Sequence, residues 1–227
     1  MFRNILLTLL VAFSTAAYAD CNENFFKGAR PVLQVQHDKE LCFKQYAVLF
    51  NTTERIPVLS AEYLTAQDVQ GAEKTKRKNA FHIESQLGKA SASPSDYHKS
   101  GYDMGHMAPS GDMVDADSQY ESFSLANMTP QLPALNRIVW KNIEEKVREL
   151  ATSTGAVYIE TGVIVSPKSV LMQDVTVPDA IFKAVYVPST KQSFVYVGTN
   201  TTPSTGTQYT VQEFDKKFGT KVFPALQ

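Results

Sequence analysis

His106, Asn136, Glu144 and Arg148 have types and spacing that could do chemistry together. They supply a base, a hard oxygen ligand, a water-holding carboxylate and a phosphate-binding cation. Metal-assisted cleavage of a phosphodiester needs those four functions. His106 lies in Tyr102-Asp103-Met104-Gly105-His106-Met107-Ala108-Pro109. A neutral imidazole can take a proton from water near neutral pH, and Asp103 is placed to fix the chain or the imidazole. Taken alone, His106 reads as readily as a surface residue; its company decides. His37, His82 and His98 lack such company. The amide oxygen of Asn136 suits Mg²⁺, which takes few protein ligands and keeps several waters. Glu144 and Arg148 stand four residues apart, on one flank of a helix. They read either as a surface ion pair or as a carboxylate orienting water beside a guanidinium that grips phosphate. Asn127 reads as a turn or cap, or as a residue that orients a reacting group.

These residues need elements to hold them. Val32–Val35 and Leu41–Phe50 read as a hairpin turning at His37–Glu40, and Ile56–Leu64 as a further strand. Ser85–Gly101, rich in Ser, Gly and Pro, reads as a surface loop. Phe123–Met128 reads as a short strand. Asn136–Leu150 is the clearest helix, with Val139, Ile143, Val147 and Leu150 at helical spacing and Pro133 just before it. Ala156–Val165 reads as a buried strand, Phe182–Val187 and Ser193–Val197 as a hairpin, and Thr210–Phe218 as a helix stopped by Gly219. The implied class is α+β, with a mostly antiparallel sheet and helices packed on it.

The ends and the charge add bounds. Arg3, the apolar run Ile5–Phe13 and Ala17-Tyr18-Ala19 read as a signal peptide over residues 1–19, leaving one domain over 20–227. The run is too short to span a bilayer. Export puts Cys21 and Cys42, an isolated even pair, in an oxidising compartment, where a disulfide is expected. A net charge of -1 argues against a protein that coats nucleic acid. It leaves room for an enzyme with a local basic cleft, and Lys74, Lys76, Arg77 and Lys78 cluster tightly. On charge alone that cluster reads as a solvated loop.

Asp103-Met104-Gly105-His106 resembles the Asp-Arg-Gly-His signature of the DNA/RNA non-specific endonucleases, the ββα-metal nucleases typified by the Serratia nuclease. Leu125-Ala126-Asn127-Met128-Thr129-Pro130-Gln131 is similar to that family's strand into its helix. Asn136, Trp140, Glu144 and Arg148 keep the family's order and spacing, and Arg77-Lys78-Asn79-Ala80-Phe81 resembles its upstream arginine segment. The resemblance implies the ββα-metal (His-Me finger) nuclease fold. It implies His106 as general base and Asn136 as the direct protein ligand of one Mg²⁺, with Mn²⁺ a substitute. Glu144 would hold the metal's waters, Arg77 and Arg148 the phosphate, and Asn127 would support the site. DNA and RNA would be substrates, cut to 5′-phosphate products, by a protein that is secreted or periplasmic. One departure is Met104, where the family has arginine. It leaves a second reading: a catalytically impaired member that binds nucleic acid or an envelope partner. A serine hydrolase is a third, but the chain has no Gly-x-Ser-x-Gly elbow.

Overall fold

The computed structural model describes residues 21–227; the expected signal peptide lies outside them. In chain order the strands are β1 (Lys39–Cys42), β2 (Tyr46–Asn51), β3 (Ile56–Thr65), β4 (Asp103–His106), β5 (Met128–Gln131), β6 (Ala156–Ile164), β7 (Leu171–Met172), β8 (Val175–Thr176), β9 (Ala180–Val187), β10 (Gln192–Thr199) and β11 (Gly206–Tyr209). The α-helices are α1 (Ala66–Ala72), α2 (Ala116–Ser122), α3 (Lys141–Thr154) and α4 (Val211–Phe218). Seven strands form one sheet in the order β1-β2-β3-β6-β9-β10-β11, every pair antiparallel. β4 pairs with β5, and β7 with β8, in separate two-stranded ribbons. The class is the expected α+β.

Helix α3 lies on the sheet through Val147 and Ala151, which join Leu64, Val157, Ile159, Val185 and Val187 in one buried cluster. Each such aliphatic side chain contributes about 1.5–3 kcal/mol of burial. Ile143 and Trp140 belong to the larger core. The turn before α3, Leu135–Trp140, is wound as a π-helix rather than an α-helix. α3 runs past Leu150 to Thr154 and stops at Gly155, whose φ of 96° glycine adopts without a Cβ clash.

Several expected boundaries shift. The first hairpin turns at residues 43–45, between β1 and β2, not at His37–Glu40. Val32 instead bridges to Lys221, and Asp38 accepts hydrogen bonds from the Thr52 amide and hydroxyl. The stretch expected as a strand over Phe123–Met128 is a 3₁₀ turn (Leu125–Asn127) followed by β5. The Ser124 hydroxyl accepts from the Ala126 amide and so closes that turn.

Cys21 and Cys42 form the expected disulfide, tying the first described residue to β1. The loop spans 21 residues. Reduction is expected to lower unfolding free energy by about 3 kcal/mol through the unfolded chain and to leave the specific activity of folded protein unchanged. Urea unfolding with and without reductant checks the first part. Equal midpoints would contradict it.

Glu160 sits in the middle of the sheet, opposite Ala61 and Ala184, and is 1% exposed. Its Oε2 accepts one long hydrogen bond from the Phe223 amide (3.4 Å), and Oε1 has no partner. Burial pushes the carboxyl up to about 8 from its ordinary 4.5, and Asp215 adds to this while the Phe223 amide opposes it. Between those values the folded chain keeps a proton that the unfolded chain releases. Stability therefore falls as pH rises through that window, by up to a few kcal/mol. Glu160→Gln is expected to remove this loss. Parallel stability profiles of wild type and variant from pH 5 to 8 would show that Glu160 does not titrate as its burial demands.

Candidate active site

β4, β5, the π turn and α3 form a ββα unit, and the site is built on it. β4 and β5 pair with Asp103 opposite Gln131 and His106 opposite Met128. Gly105 is required by this pairing: a Cβ there would lie 2.1 Å from the Gln131 side chain. His106 therefore ends β4 with its ring against Phe123, centroids 4.8 Å apart and rings perpendicular. The imidazole is 9% exposed, and its buried Nε2 has no hydrogen-bond partner. Burial, helped by the Arg77 charge, pulls its pKa down to about 3. The ring is neutral at physiological pH, with a nitrogen uncommitted to the protein.

Asp103 does not reach the imidazole. Its Oδ2 accepts from Asn136 Nδ2 at 3.0 Å and from Arg137 Nε at 2.8 Å, while Oδ1 accepts from Arg137 Nη2 at 2.6 Å. Burial raises this carboxyl, but the hydrogen bonds from Arg137 and Asn136 outweigh it and hold the pKa below the usual value. The Asn136 amide nitrogen is thus committed to Asp103, which leaves its oxygen for the cleft that Asn136 lines.

Glu144 occupies the first turn of α3 and lines the same cleft. Burial pushes its carboxyl up to about 7; Lys183, Arg148 and Arg77 oppose the rise, and Asp112 adds to it. Arg148, one turn on, does not pair with Glu144. Its Nη1 donates to Asp112 Oδ1 at 2.7 Å, and Asp112 is buried. The surface ion pair that the spacing allowed is therefore not formed. Arg77 lies in an exposed loop, its guanidinium 5.2 Å over the Phe123 ring and its Nε donating to Asn79. Of the basic cluster, Arg77 lines the cleft, while Lys74, Lys76 and Lys78 do not.

The cleft measures about 880 Å³ and gathers His106, Asn136, Glu144, Arg77 and Arg148. Lys99, Arg137 and Lys141 also line it, against the acids Asp103, Glu144 and Glu145. Cations outnumber acids here although the chain's net charge is -1. An anionic ligand is thereby favoured locally.

Asn127 is placed differently from the other four expected catalytic residues. It is fully buried and is not among the residues lining the cleft. Its Oδ1 accepts from the Ala108 amide, and its Nδ2 donates to the carbonyls of Ala108 and Ser122. Those bonds clamp the segment following His106. Asn127 acts on this segment from within the fold, away from the cleft lining.

Three contributors escaped the sequence. Asp112 carried no signal in Ser110-Gly111-Asp112. Arg137 has no motif of its own beside Asn136. Lys183 is a charged residue in the middle of an apolar strand, which was a readable anomaly. It is 1% exposed; its Nζ donates to Thr161 Oγ1 at 2.6 Å and stands 5.5 Å from the Trp140 ring. His98, set aside from the sequence, lines the cleft.

A divalent cation fits this donor set. Among the described residues, the single trio of His, Cys or acidic side chains close enough to share an ion is Cys21, Glu40 and Cys42, and its thiols are spent in the disulfide. The cleft offers instead the oriented amide oxygen of Asn136 and the carboxylate of Glu144, its other acids Asp103 and Glu145 being paired with Arg137 and Lys141. That suits a cation that keeps most of its own water, as Mg²⁺ does.

The profile of the DNA/RNA non-specific endonucleases matches residues 27–223. The chain belongs to that family. A nuclease from Nostoc sp. is 33% identical over 163 residues, covering 70% of this chain and 58% of that protein. Nuclease C1 of Cunninghamella echinulata var. echinulata is 29% identical over 168 residues, covering 67% of each. The matched region thus spans about three-fifths to two-thirds of the length of these curated relatives. The structure of an EndoG/EndoGI complex, which describes EndoG inhibition, matches with a TM-score of 0.68 at 23% identity, over 94% of this chain and 93% of that one. That likeness establishes the fold, a ββα-metal nuclease with a mostly antiparallel central sheet. Met104 is half-buried on the core and lines the cleft.

Proposed function

We propose that this chain is an exported, Mg²⁺-dependent nuclease that hydrolyses phosphodiester bonds of DNA and RNA with little regard for sequence. The observation that carries the reading is the shared cleft. The neutral imidazole of His106 and the amide of Asn136, oriented by Asp103, line one cation-rich pocket. The imidazole of His106 takes a proton from water as the water oxygen bonds to phosphorus and the bond to the 3′ oxygen breaks; the 3′ oxygen takes up a proton from solvent, leaving a 5′-phosphate. Asn136 Oδ1 would hold Mg²⁺ directly, and Glu144 would accept hydrogen bonds from its waters. Bound Mg²⁺ supplies charge stabilisation to the leaving oxygen. Arg77 and Arg148 grip and polarise the phosphate. Contacts confined to phosphate and sugar carry little sequence information, so specificity is broad.

Met104 is the feature that favours a catalytically impaired binder. Arg137 answers it. Its Nε and Nη2 are held by Asp103, beside Asn136, leaving Nη1 with no protein partner among the described residues. A guanidinium therefore shares with Asn136 the carboxylate that precedes Met104. Residues 1–19 serve as signal peptide and 20–227 as one nuclease domain, delivered to the periplasm or outside the cell. The disulfide suits that compartment. Among the described residues no helix is long and apolar enough to cross a membrane.

The test is incubation of purified protein with supercoiled plasmid and with RNA, in Mg²⁺ and in EDTA, followed by end-group labelling. Cleavage of both in Mg²⁺ alone, with phosphate on the 5′ ends, is expected. Intact nucleic acid beside a folded, Mg²⁺-supplied protein would favour the binder.

A further inference from the structure

A side cleft of about 260 Å³ adjoins the site pocket. His98, Lys99 and Tyr102 line both, so the two share a wall. The opposite wall is the β7–β8 ribbon, which contributes Val170, Leu171, Met172 and Gln173. Val170 is 58% and Leu171 65% exposed, an unusual place for two adjacent large apolar side chains. The ribbon beneath them is firmly seated. Met172 and Val175 are buried in the main core, the Thr176 amide donates to the Glu54 carbonyl, and Arg55 donates to the Gln173 carbonyl. Lys99 is exposed and forms no ion pair among the described residues. Asp96, the acid in the side cleft's lining, is paired with Arg55 at 3.0 Å. A free cation, two ring side chains and an apolar ledge beside a phosphate-binding pocket match the way single-stranded nucleic acid is held. The space is too small for a duplex.

We propose that this side cleft is a subsite for the nucleotide flanking the cleaved phosphate, taken as an unpaired base resting on Val170 and Leu171 with Lys99 at its backbone. The subsite rests on the phosphodiester reading of the neighbouring pocket. It favours single-stranded over duplex substrate, because a paired base cannot reach the ledge.

Fluorescence anisotropy with His106→Ala protein tests it. The ligands are a labelled single-stranded pentanucleotide and an analogue whose sugars carry no bases. Adding Val170→Ser and Leu171→Ser is expected to weaken pentanucleotide binding roughly five- to tenfold, near the low end for a stacked base, and to leave the abasic analogue unaffected. Both side chains are exposed, so the fold tolerates the change. Adding Lys99→Asn instead, which suits the left-handed backbone at that position (φ 56°), is expected to weaken both ligands and reduce the salt dependence. Unchanged pentanucleotide affinity in the Val170/Leu171 variant would overturn the subsite, as would an equal loss for both ligands or no binding of either. The assay reads binding, so a wild type that binds in this pattern yet never cleaves would overturn the nuclease activity and uphold the subsite.

Discussion

Replacing His106 with alanine is expected to slow phosphodiester cleavage about 10²–10⁴-fold, the usual contribution of a positioned general base. The expectation rests on what surrounds the ring. Its Nε2 is buried and unpartnered, so no structural bond is lost with it. Its neighbours Phe123 and Phe81 also contact each other, ring centroids 4.9 Å apart, and Phe81 packs against the main core, so the fold has more than this contact to rely on. Stability should change by no more than about 2 kcal/mol, within the ordinary range for one substitution. His82→Ala is the matched control. That ring stacks on Tyr120 at 4.4 Å and does not line the cleft, so the rate should stay near wild type. A folded His106→Ala protein cutting plasmid at the wild-type rate would remove His106 as the base.

Asn127→Ala is expected to behave in the opposite way, costing about 3–5 kcal/mol of stability. Its three hydrogen bonds all go to backbone groups in a fully buried setting. Truncation leaves the Ala108 amide and the carbonyls of Ala108 and Ser122 without their partner where water has little access, and each such loss is costly. Asn127→Asp should recover little, since a carboxylate can accept from Ala108 but cannot donate to the two carbonyls. Denaturant unfolding measures the stability, and specific activity of the folded fraction measures the chemistry. Activity should follow the folded fraction. Full stability with a large loss of rate would instead place Asn127 among the groups that touch substrate.

The contrast between those residues shows what a sequence can reveal. His106, Asn136, Glu144 and Arg148 were legible because a motif and a helical repeat order them along the chain, and the structure brings all four to one cleft. The long apolar patterns of β6, β9, β10 and α3 were legible for the same local reason. α1 and α2 were missed: each has only seven residues, and capping boxes at Thr65 and Asp115, not an apolar repeat, start them. The burial of Asn127 and the Arg148–Asp112 pair were hidden because their partners are 19 and 36 residues away. Lys183 is satisfied by Thr161 on the adjacent strand, a register that no single strand records. Asp103 shows the same limit at short range. Its type allows either the chain or the imidazole as partner, and the antiparallel register of β4 with β5, closed by the π turn, delivers it to Asn136 and Arg137.

In the proposed mechanism the amide oxygen of Asn136 holds the Mg²⁺ on which cleavage depends. The most direct measurement is plasmid nicking across a Mg²⁺ titration, for wild type and Asn136→Ala side by side. The half-saturating Mg²⁺ concentration should rise about tenfold or more, the scale on which even outer partners of a metal site act, or cleavage should vanish throughout. Superimposable Mg²⁺ curves for two equally folded proteins would contradict the account.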